Sequence, residues 1–238
     1  MPSRTSTVDT SDPTVTPRHD DALTGPDLVA WIELMDDRLV HQAEWLTELD
    51  SAIGDGDHGI NLARGFAVLS ERLSDAGPTD LDGILELCST TLVSTVGGAG
   101  GALYGTFFRR MANGSAGYSR LDAATLAGIL GAGVEGVTSR GMAQVGDKTM
   151  VDALVPCRLA LGSAADRGDS LSAALEAAAA AADAGRESTR PLVARRGRAS
   201  YLGSRSADHL DPGAASTALL VRALSDSWNA SALAWNAR

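Results

Sequence analysis

Asp50, Asp55 and Asp57 fall within eight residues, inside the run ELDSAIGDGDHGIN at residues 48–61. Three carboxylates this close repel one another in water, and such a cluster persists at low cost only around a positive charge. Gly54 and Gly56 let the backbone turn tightly enough to aim all three at one point. Oxygen-only ligands select a hard cation, Mg²⁺ or Ca²⁺, over zinc. An EF-hand is excluded: counting from Asp55, the sixth position holds Ile60 instead of Gly and the twelfth Phe66 instead of Glu. Helix capping accounts for Asp55 or Asp57 singly, but not for Asp50 as well. The run is read as a Mg²⁺ loop to which the rest of the chain brings a phosphate.

The elements that position this loop are helical by pattern. Residues 25–49 begin with Pro26 and Asp27, both suited to a first turn, and place Leu28, Trp31, Ile32, Met35, Leu39, Ala43, Leu46 and Leu49 at helical spacing. That helix delivers Asp50 at its electronegative C-terminal end. After Gly59 the chain reads INLARGFAVLSERL, a second amphipathic helix. Its start, His58 to Asn61, offers free N–H groups to a phosphate, so cation and anion seats meet at one loop. Residues 80–96 form a third helix with Leu81, Ile84, Leu85, Cys88 and Leu92 on one face. The run GGAGGALYG at residues 97–105 leads into a helix at 106–111. It reads either as a turn or tight crossing or as a phosphate-binding loop. No Gly-Lys-Ser/Thr follows it, so it is not a P-loop, and no strand precedes it, so it is not a dinucleotide fingerprint.

Further helices are expected at residues 121–139, 151–165, 171–190 (with Ser170 as N-cap) and 214–234. Between the last two, residues 191–211 carry Arg195, Arg196, Arg198, Arg205 and His209, a gathering of basic groups that suits an anion. Eight helices with short connections and no strand predict an all-α bundle of antiparallel neighbours, with the glycine-bearing and acidic loops at one end.

Composition narrows the partners. A net charge of −10 over 238 residues argues against a nucleic-acid binder. The scarcity of aromatic residues, 4%, favours closely packed helices over a β-sandwich. Cys88 and Cys157 sit in apolar runs and read as buried free thiols, suited to a reducing cytoplasm. No membrane span or signal peptide is expected. Residues 1–24, rich in Ser, Thr, Asp and Pro, are expected to be a disordered tail, leaving 25–238 as one domain.

Four stretches together, LDSAIGDGDHGINLARGF, GGAGGALYGTFF, GDKTMVDAL and ARRGRASYLGSRSADHLDPGAAST, resemble the nucleotide-binding L subunit of dihydroxyacetone kinase, or the matching domain of its single-chain ATP-dependent relatives. The resemblance runs from about residue 26 to the C-terminus. It implies a closed barrel of eight antiparallel helices with a nucleotide at one end. Asp50, Asp55 and Asp57 would ligate a pair of Mg²⁺ ions bridging the nucleotide's phosphates. His58, Gly59, Ile60 and Asn61 would contact phosphate at the helix start, and Gly100 and Gly101 would do so from the glycine run. The family generally has Ser at the place of Gly100, so the resemblance implies that one hydroxyl contact is lost here, where a backbone N–H could still serve. Gly141 and Met150 match positions lining an adenine pocket. Arg198 and Asp211-Pro212-Gly213 match residues closing over the nucleotide.

The resemblance implies two modes of working. In one, ADP is a fixed cofactor, rephosphorylated by a phosphohistidine-bearing M subunit, and it passes the phosphoryl group to dihydroxyacetone on a K subunit. In the other, the domain is fused to its K domain and exchanges ATP for ADP. No substrate domain is fused in this chain, which favours the first. The alternatives are an ATP-exchanging ketose kinase subunit, a nucleotide-sensing regulatory subunit that the intact aspartate trio argues against, and a phosphohydrolase. His58 as a phosphorylated histidine is disfavoured by its place beside the metal loop. The oligomeric state, a homodimer included, is left open.

Overall fold

The computed structural model describes residues 21–77 and 80–236. Among the described residues eight α-helices follow one another: α1 (Gly25–Ile53), α2 (His58–Ala76), α3 (Leu81–Thr95), α4 (Gly98–Ser115), α5 (Ala123–Gly141), α6 (Val151–Asp166), α7 (Leu171–Ser188) and α8 (Pro212–Asn236). A 3₁₀ helix, Arg198–Ser206, lies in the excursion between α7 and α8. Among the described residues there is no strand, only a single antiparallel bridge between Leu23 and Leu121. No described helix is long and apolar enough to cross a membrane.

Each helix packs on the next, and α8 packs back on α1, so the bundle closes into a ring. The closure is specific as well as apolar. The Trp31 indole Nε1 on α1 donates to the Leu220 carbonyl on α8 at 2.8 Å, and Arg38 pairs with Asp226 across the same seam. The predicted face of α1 is buried through Leu28, Trp31, Ile32, Met35, Leu39 and Leu46, and that of α3 through Leu81, Ile84, Leu85, Cys88 and Leu92. These residues form one continuous core, which burial of apolar surface stabilises. Both cysteines are free and buried, as expected. Alanine and glycine permit the tight packing. α7 lays Ala174, Ala178 and Ala182 inward, and at Gly185 a Cβ would stand 2.2 Å from the Asp152 carbonyl of α6.

Residues 1–20 of the expected tail lie outside the described residues, but its boundary at residue 24 is corrected. Leu23 is fully buried and exchanges backbone hydrogen bonds with Leu121 at 2.8 and 2.9 Å. Thr24 forms a capping box with Asp27. Asp21 accepts from the first amide of α7, Leu171 N, at 2.8 Å. One leucine in a polar stretch carries no periodicity, so nothing in the pattern announced that it was core. The helix expected at 106–111 is corrected to begin at Gly98, with Gly97 as its N-cap, and the glycine run takes the tight-crossing reading: a Cβ on Gly101 would stand 3.0 Å from the Leu92 carbonyl of α3. The expected helix at 171–190 stops at Ser188, with Ser170 capping it as predicted through Ala173 N.

Candidate functional site

In an antiparallel ring every second helix begins at the same end. Here α2, α4, α6 and α8 all begin around one cavity of about 380 Å³. It is lined from α2 by Asp57, His58 and Asn61, from α4 by Gly97 to Gly100, from the approach to α6 by Lys148 to Met150, and from α8 by Asp211, Pro212 and Gly213. Each helix N-terminus carries roughly half a positive charge, although the first amides of α6 and α8 are already taken by Thr149, Met150 and Asp211. Four of them aimed at one space make a strong anion seat.

Beside those amides stand the acids. One carboxylate oxygen from each of Asp50, Asp55 and Asp57 lies within 4.8 Å of the others. Asp50 is in the last turn of α1, which runs four residues beyond its expected end, and it is buried. Its Oδ2 accepts from Asp57 N at 3.0 Å and His58 N at 3.2 Å, tying the end of α1 to the start of α2. Asp55 and Asp57 are exposed. Two glycines are required by space. A Cβ at Gly54 would lie 2.0 Å from Asp50 Oδ1, and Gly56, at φ +73, would drive one to 2.6 Å from Ser51 Oγ. Arg198 Nη2 pairs with Asp55 Oδ2 at 3.0 Å, a partial counter-charge to the acidic trio. A set of three carboxylates with amide donors around it fits a hard divalent cation and a phosphate group together.

The remaining expected residues divide by position. Gly100, Met150, Arg198, Asp211, Pro212 and Gly213 line the cavity with the aspartates, His58 and Asn61. Gly59 instead faces α1, where a Cβ would meet the Ala43 carbonyl at 1.9 Å, and Gly101 faces α3, 3.0 Å from the Leu92 carbonyl. These two serve helix approach. Ile60 is 58% exposed and does not line the cavity. Gly141 ends α5 near Leu103, next to a second cavity of about 530 Å³ lined by Met142, Ala143, Gln144, Asp147, Arg195 and Arg196. Arg196 borders both cavities.

Asn61 and His58 are held by neighbours. Asn61 Oδ1 accepts from Arg64 Nη2 at 2.8 Å, and Arg64 also donates to Thr95 O at the end of α3, which leaves the amide NH₂ of Asn61 as its donating end. His58 Nε2 lies 2.9 Å from Ser216 Oγ on α8. Burial lowers the His58 pKa from its ordinary value, against the opposing pull of Asp50 and Asp57.

Two buried charges here were not anticipated. Lys148, 1% exposed and at φ +62, donates Nζ to Thr189 O at 2.7 Å and also to the His209 carbonyl, with Arg190 O at 3.4 Å. Asp152, also buried, accepts from Gly146 N at 2.6 Å and Thr149 N at 2.7 Å and so shapes the loop before α6. No local pattern marks either: their partners are loop amides, or carbonyls some forty and sixty residues away.

Asp211 supplies a pH prediction. Its Oδ2 accepts from Ala214 N at 2.7 Å, yet burial pushes its pKa up to about 7, with Asp152 and Asp50 adding to the rise and the Ala214 amide and Lys148 opposing it. The native carboxyl therefore keeps its proton up to about pH 7, while the unfolded one loses it near 4. The native state binds more protons between those values, so this group's contribution to stability falls as pH rises from 4 to 7 and is flat above. Asp211→Asn, which keeps an acceptor for Ala214 N, is expected to flatten that slope by up to about 4 kcal/mol. Urea midpoints of both proteins at pH 5 and pH 7.5 check it, and parallel pH profiles would refute it.

Fold and site together define a class: an all-α helical ring with an acidic, amide-rich cavity at one end. The DAK2 domain profile matches residues 52–226, and the chain belongs to that family. The chain is 41% identical over 203 residues to the Escherichia coli protein named PEP-dependent dihydroxyacetone kinase, ADP-binding subunit DhaL, covering 85% of this chain and 97% of that one. It is also 41% identical over 194 residues to a Listeria innocua protein, PEP-dependent dihydroxyacetone kinase 1, ADP-binding subunit DhaL, covering 82% of this chain and 92% of that one. Mouse triokinase/FMN cyclase is 35% identical over 188 residues, 78% of this chain but 32% of the mouse protein. Among solved structures, the dihydroxyacetone kinase from C. freundii in complex with AMP-PNP and Mg²⁺ superposes with a TM-score of 0.66 at 26% identity, covering 95% of this chain and 38% of that one. The expected fold class is borne out by the closed ring and by this likeness.

Proposed function

We propose that this chain is the ADP-binding phosphotransfer subunit of a dihydroxyacetone kinase, passing a phosphoryl group from a phosphohistidine-bearing subunit, through bound ADP, to dihydroxyacetone on a separate K subunit. The observation that carries the reading is the meeting of the Asp50, Asp55, Asp57 trio with four helix N-termini at one cavity. The relatives aligned over nearly their whole length are separate ADP-binding subunits, which favours a retained ADP over an exchanging ATP.

In this reading the three aspartates would hold Mg²⁺, two ions in all, and the starts of α2 and α4 would receive the diphosphate. When bound, the metal supplies neutralisation of the phosphate charge, which is the main requirement of phosphoryl transfer. The chain's own groups do the rest. Amides of Gly98 to Gly100 and the NH₂ of Asn61 orient the phosphates, with the His58 side chain beside them. Arg198, on the 3₁₀ helix of the α7–α8 excursion, closes over them. The nucleoside end falls to the loop at residues 141–150 and its adjoining cavity. Exposed apolar side chains on the bordering loops, Met142, Val145 and Tyr201, give the partner subunits a rim to dock on.

Purified protein is expected to carry about one ADP per chain through dialysis and to release it on chelation of divalent metal. Acid extraction followed by mass spectrometry reads this directly. An extract without nucleotide, from protein purified in Mg²⁺, would count decisively against a retained cofactor. Turnover with a K subunit on ATP alone would reassign the donor.

A further inference from the structure

Asn61 lines the cavity, and the residue that holds it, Arg64, does not. The two stand three apart on α2, so their side chains share one face of the helix. Arg64 Nη2 donates to Asn61 Oδ1 at 2.8 Å. The same Nη2 and the neighbouring Nε donate to the Thr95 carbonyl, at 2.9 and 3.2 Å. Thr95 is the last residue of α3, and its carbonyl is one that a helix end leaves without an amide. That end is electronegative, which suits a guanidinium. Gly65 brings α2 close enough for the reach: a Cβ there would stand 2.4 Å from Val96 Cγ2 and 3.2 Å from Thr95 Oγ1. Arg64 is exposed, and a lone hydrogen bond between exposed side chains competes poorly with water. Here the arginine is fixed first, by two N–H groups on one carbonyl of another helix. Asn61 then meets a donor already in place.

A carboxamide has two ends, and heavy-atom positions alone leave them interchangeable. Arg64 removes the ambiguity. A guanidinium has donors and no acceptor, so the end of Asn61 that faces it is the oxygen. Turned over, the amide would set N–H against N–H. The NH₂ therefore occupies the other branch. Its orientation matters for an anion in particular: water accepts from one end and donates to the other, whereas a phosphate oxygen takes only a donor. The backbone amide of Asn61 is no substitute, since it already donates to the Asp57 carbonyl at 2.9 Å.

We propose that Arg64 is a positioning residue: anchored on the Thr95 carbonyl at the end of α3, it holds the Asn61 amide with its NH₂ free to donate to the nucleotide's phosphates. Arg64 acts through Asn61 and touches no ligand itself. The phosphate contact rests on the function proposed above, but the hold of Arg64 on Asn61 is a property of the nucleotide-free chain.

Two measurements test it. ADP titration in excess Mg²⁺ is expected to give about tenfold weaker binding for Asn61→Ala and about fivefold for Arg64→Met, the scale of one hydrogen bond lost or left unaimed. Arg64→Met in the Asn61→Ala background is expected to add nothing, because the two residues act as one unit. Side-chain ¹⁵N relaxation of nucleotide-free protein, with the Asn61 NH₂ signal identified by its loss in Asn61→Ala, is expected to show a rigid NH₂ in the parent and a mobile one in Arg64→Met. Melting curves check that these substitutions, outside the apolar core, leave the fold in place. Equal mobility in the parent and Arg64→Met overturns the hold on Asn61. Parent-like ADP affinity in Arg64→Met overturns its link to the phosphates. A fivefold loss that persists in the Asn61→Ala background makes Arg64 act by its own charge and overturns the positioning role. A parent chain that takes up no ADP at all would overturn the function proposed above, while the relaxation still decides whether Arg64 holds Asn61.

Discussion

Asp57→Asn is expected to slow phosphoryl transfer about a thousandfold in a chain that folds as well as the parent. The structure makes Asp57 a cleaner probe than Asp50. Asp50 Oδ2 accepts two backbone amides and organises the loop, so replacing it disturbs geometry as well as charge. Asp57 occupies the N-cap of α2 without a side-chain capping bond, and it is exposed. Its carboxylate repels those of Asp50 and Asp55, so neutralising it removes an unfavourable term from the metal-free protein. The melting temperature without ligand is therefore expected to hold steady or rise slightly. With Mg²⁺ and ADP the parent gains stability by mass action and the variant does not. A coupled assay with the partner subunits, run beside melting curves with and without Mg–ADP, checks both halves. Transfer at the parent rate would remove Asp57 from the ligand set. A large fall in the ligand-free melting temperature would make it a structural residue.

Asp57 also shows what kind of site a sequence makes readable. Asp50, Asp55 and Asp57 are close in the chain because one turn and one helix end hold them together, so their repulsion is visible before any fold is known. The helical spacing of Leu28, Trp31 and Met35 is equally local, since a single helix face produces it. The other half of the site is not local. Tyr104 and Ser216 meet at 2.7 Å across 112 residues, and only the packing of α4 beside α8 brings them there. Asp211 entered through the resemblance of a motif, and periodicity had no means of finding it. The glycine run was ambiguous by itself because glycine is compatible with a loop, a tight crossing and a helix start; at Gly97 to Gly101 the structure uses it for the last two. The closed ring, as opposed to a bundle, depends on the contact of the first helix with the last, which no window of sequence contains.

Lys148 is where that non-local half is anchored, and Lys148→Met is expected to lose nucleotide binding by at least tenfold together with about 3–5 kcal/mol of stability. The ammonium gathers carbonyls from Thr189 and Arg190, at the end of α7, and from His209, just before α8. It is the clasp on both ends of the excursion that carries Arg196 and Arg198 to the cavity. Other bonds cross the same excursion: Asp208 N donates to Arg190 O at 2.8 Å and Asp211 N to Thr189 Oγ1 at 3.0 Å. None of these replaces the charge. Methionine fills the stem's space but leaves the gathered carbonyls without their donor, and it strips Asp211 of a cation that opposes the rise of its pKa. Arginine is no remedy, because a planar fork does not fit a site built for a compact ammonium. The prediction separates a clasp from a ligand contact. If Lys148 acts through the excursion, the α7–α8 segment loses hydrogen-exchange protection in nucleotide-free Lys148→Met while α1 to α5 keep theirs. If protection is unchanged and only ADP affinity falls, Lys148 touches the nucleotide directly and the clasp is refuted.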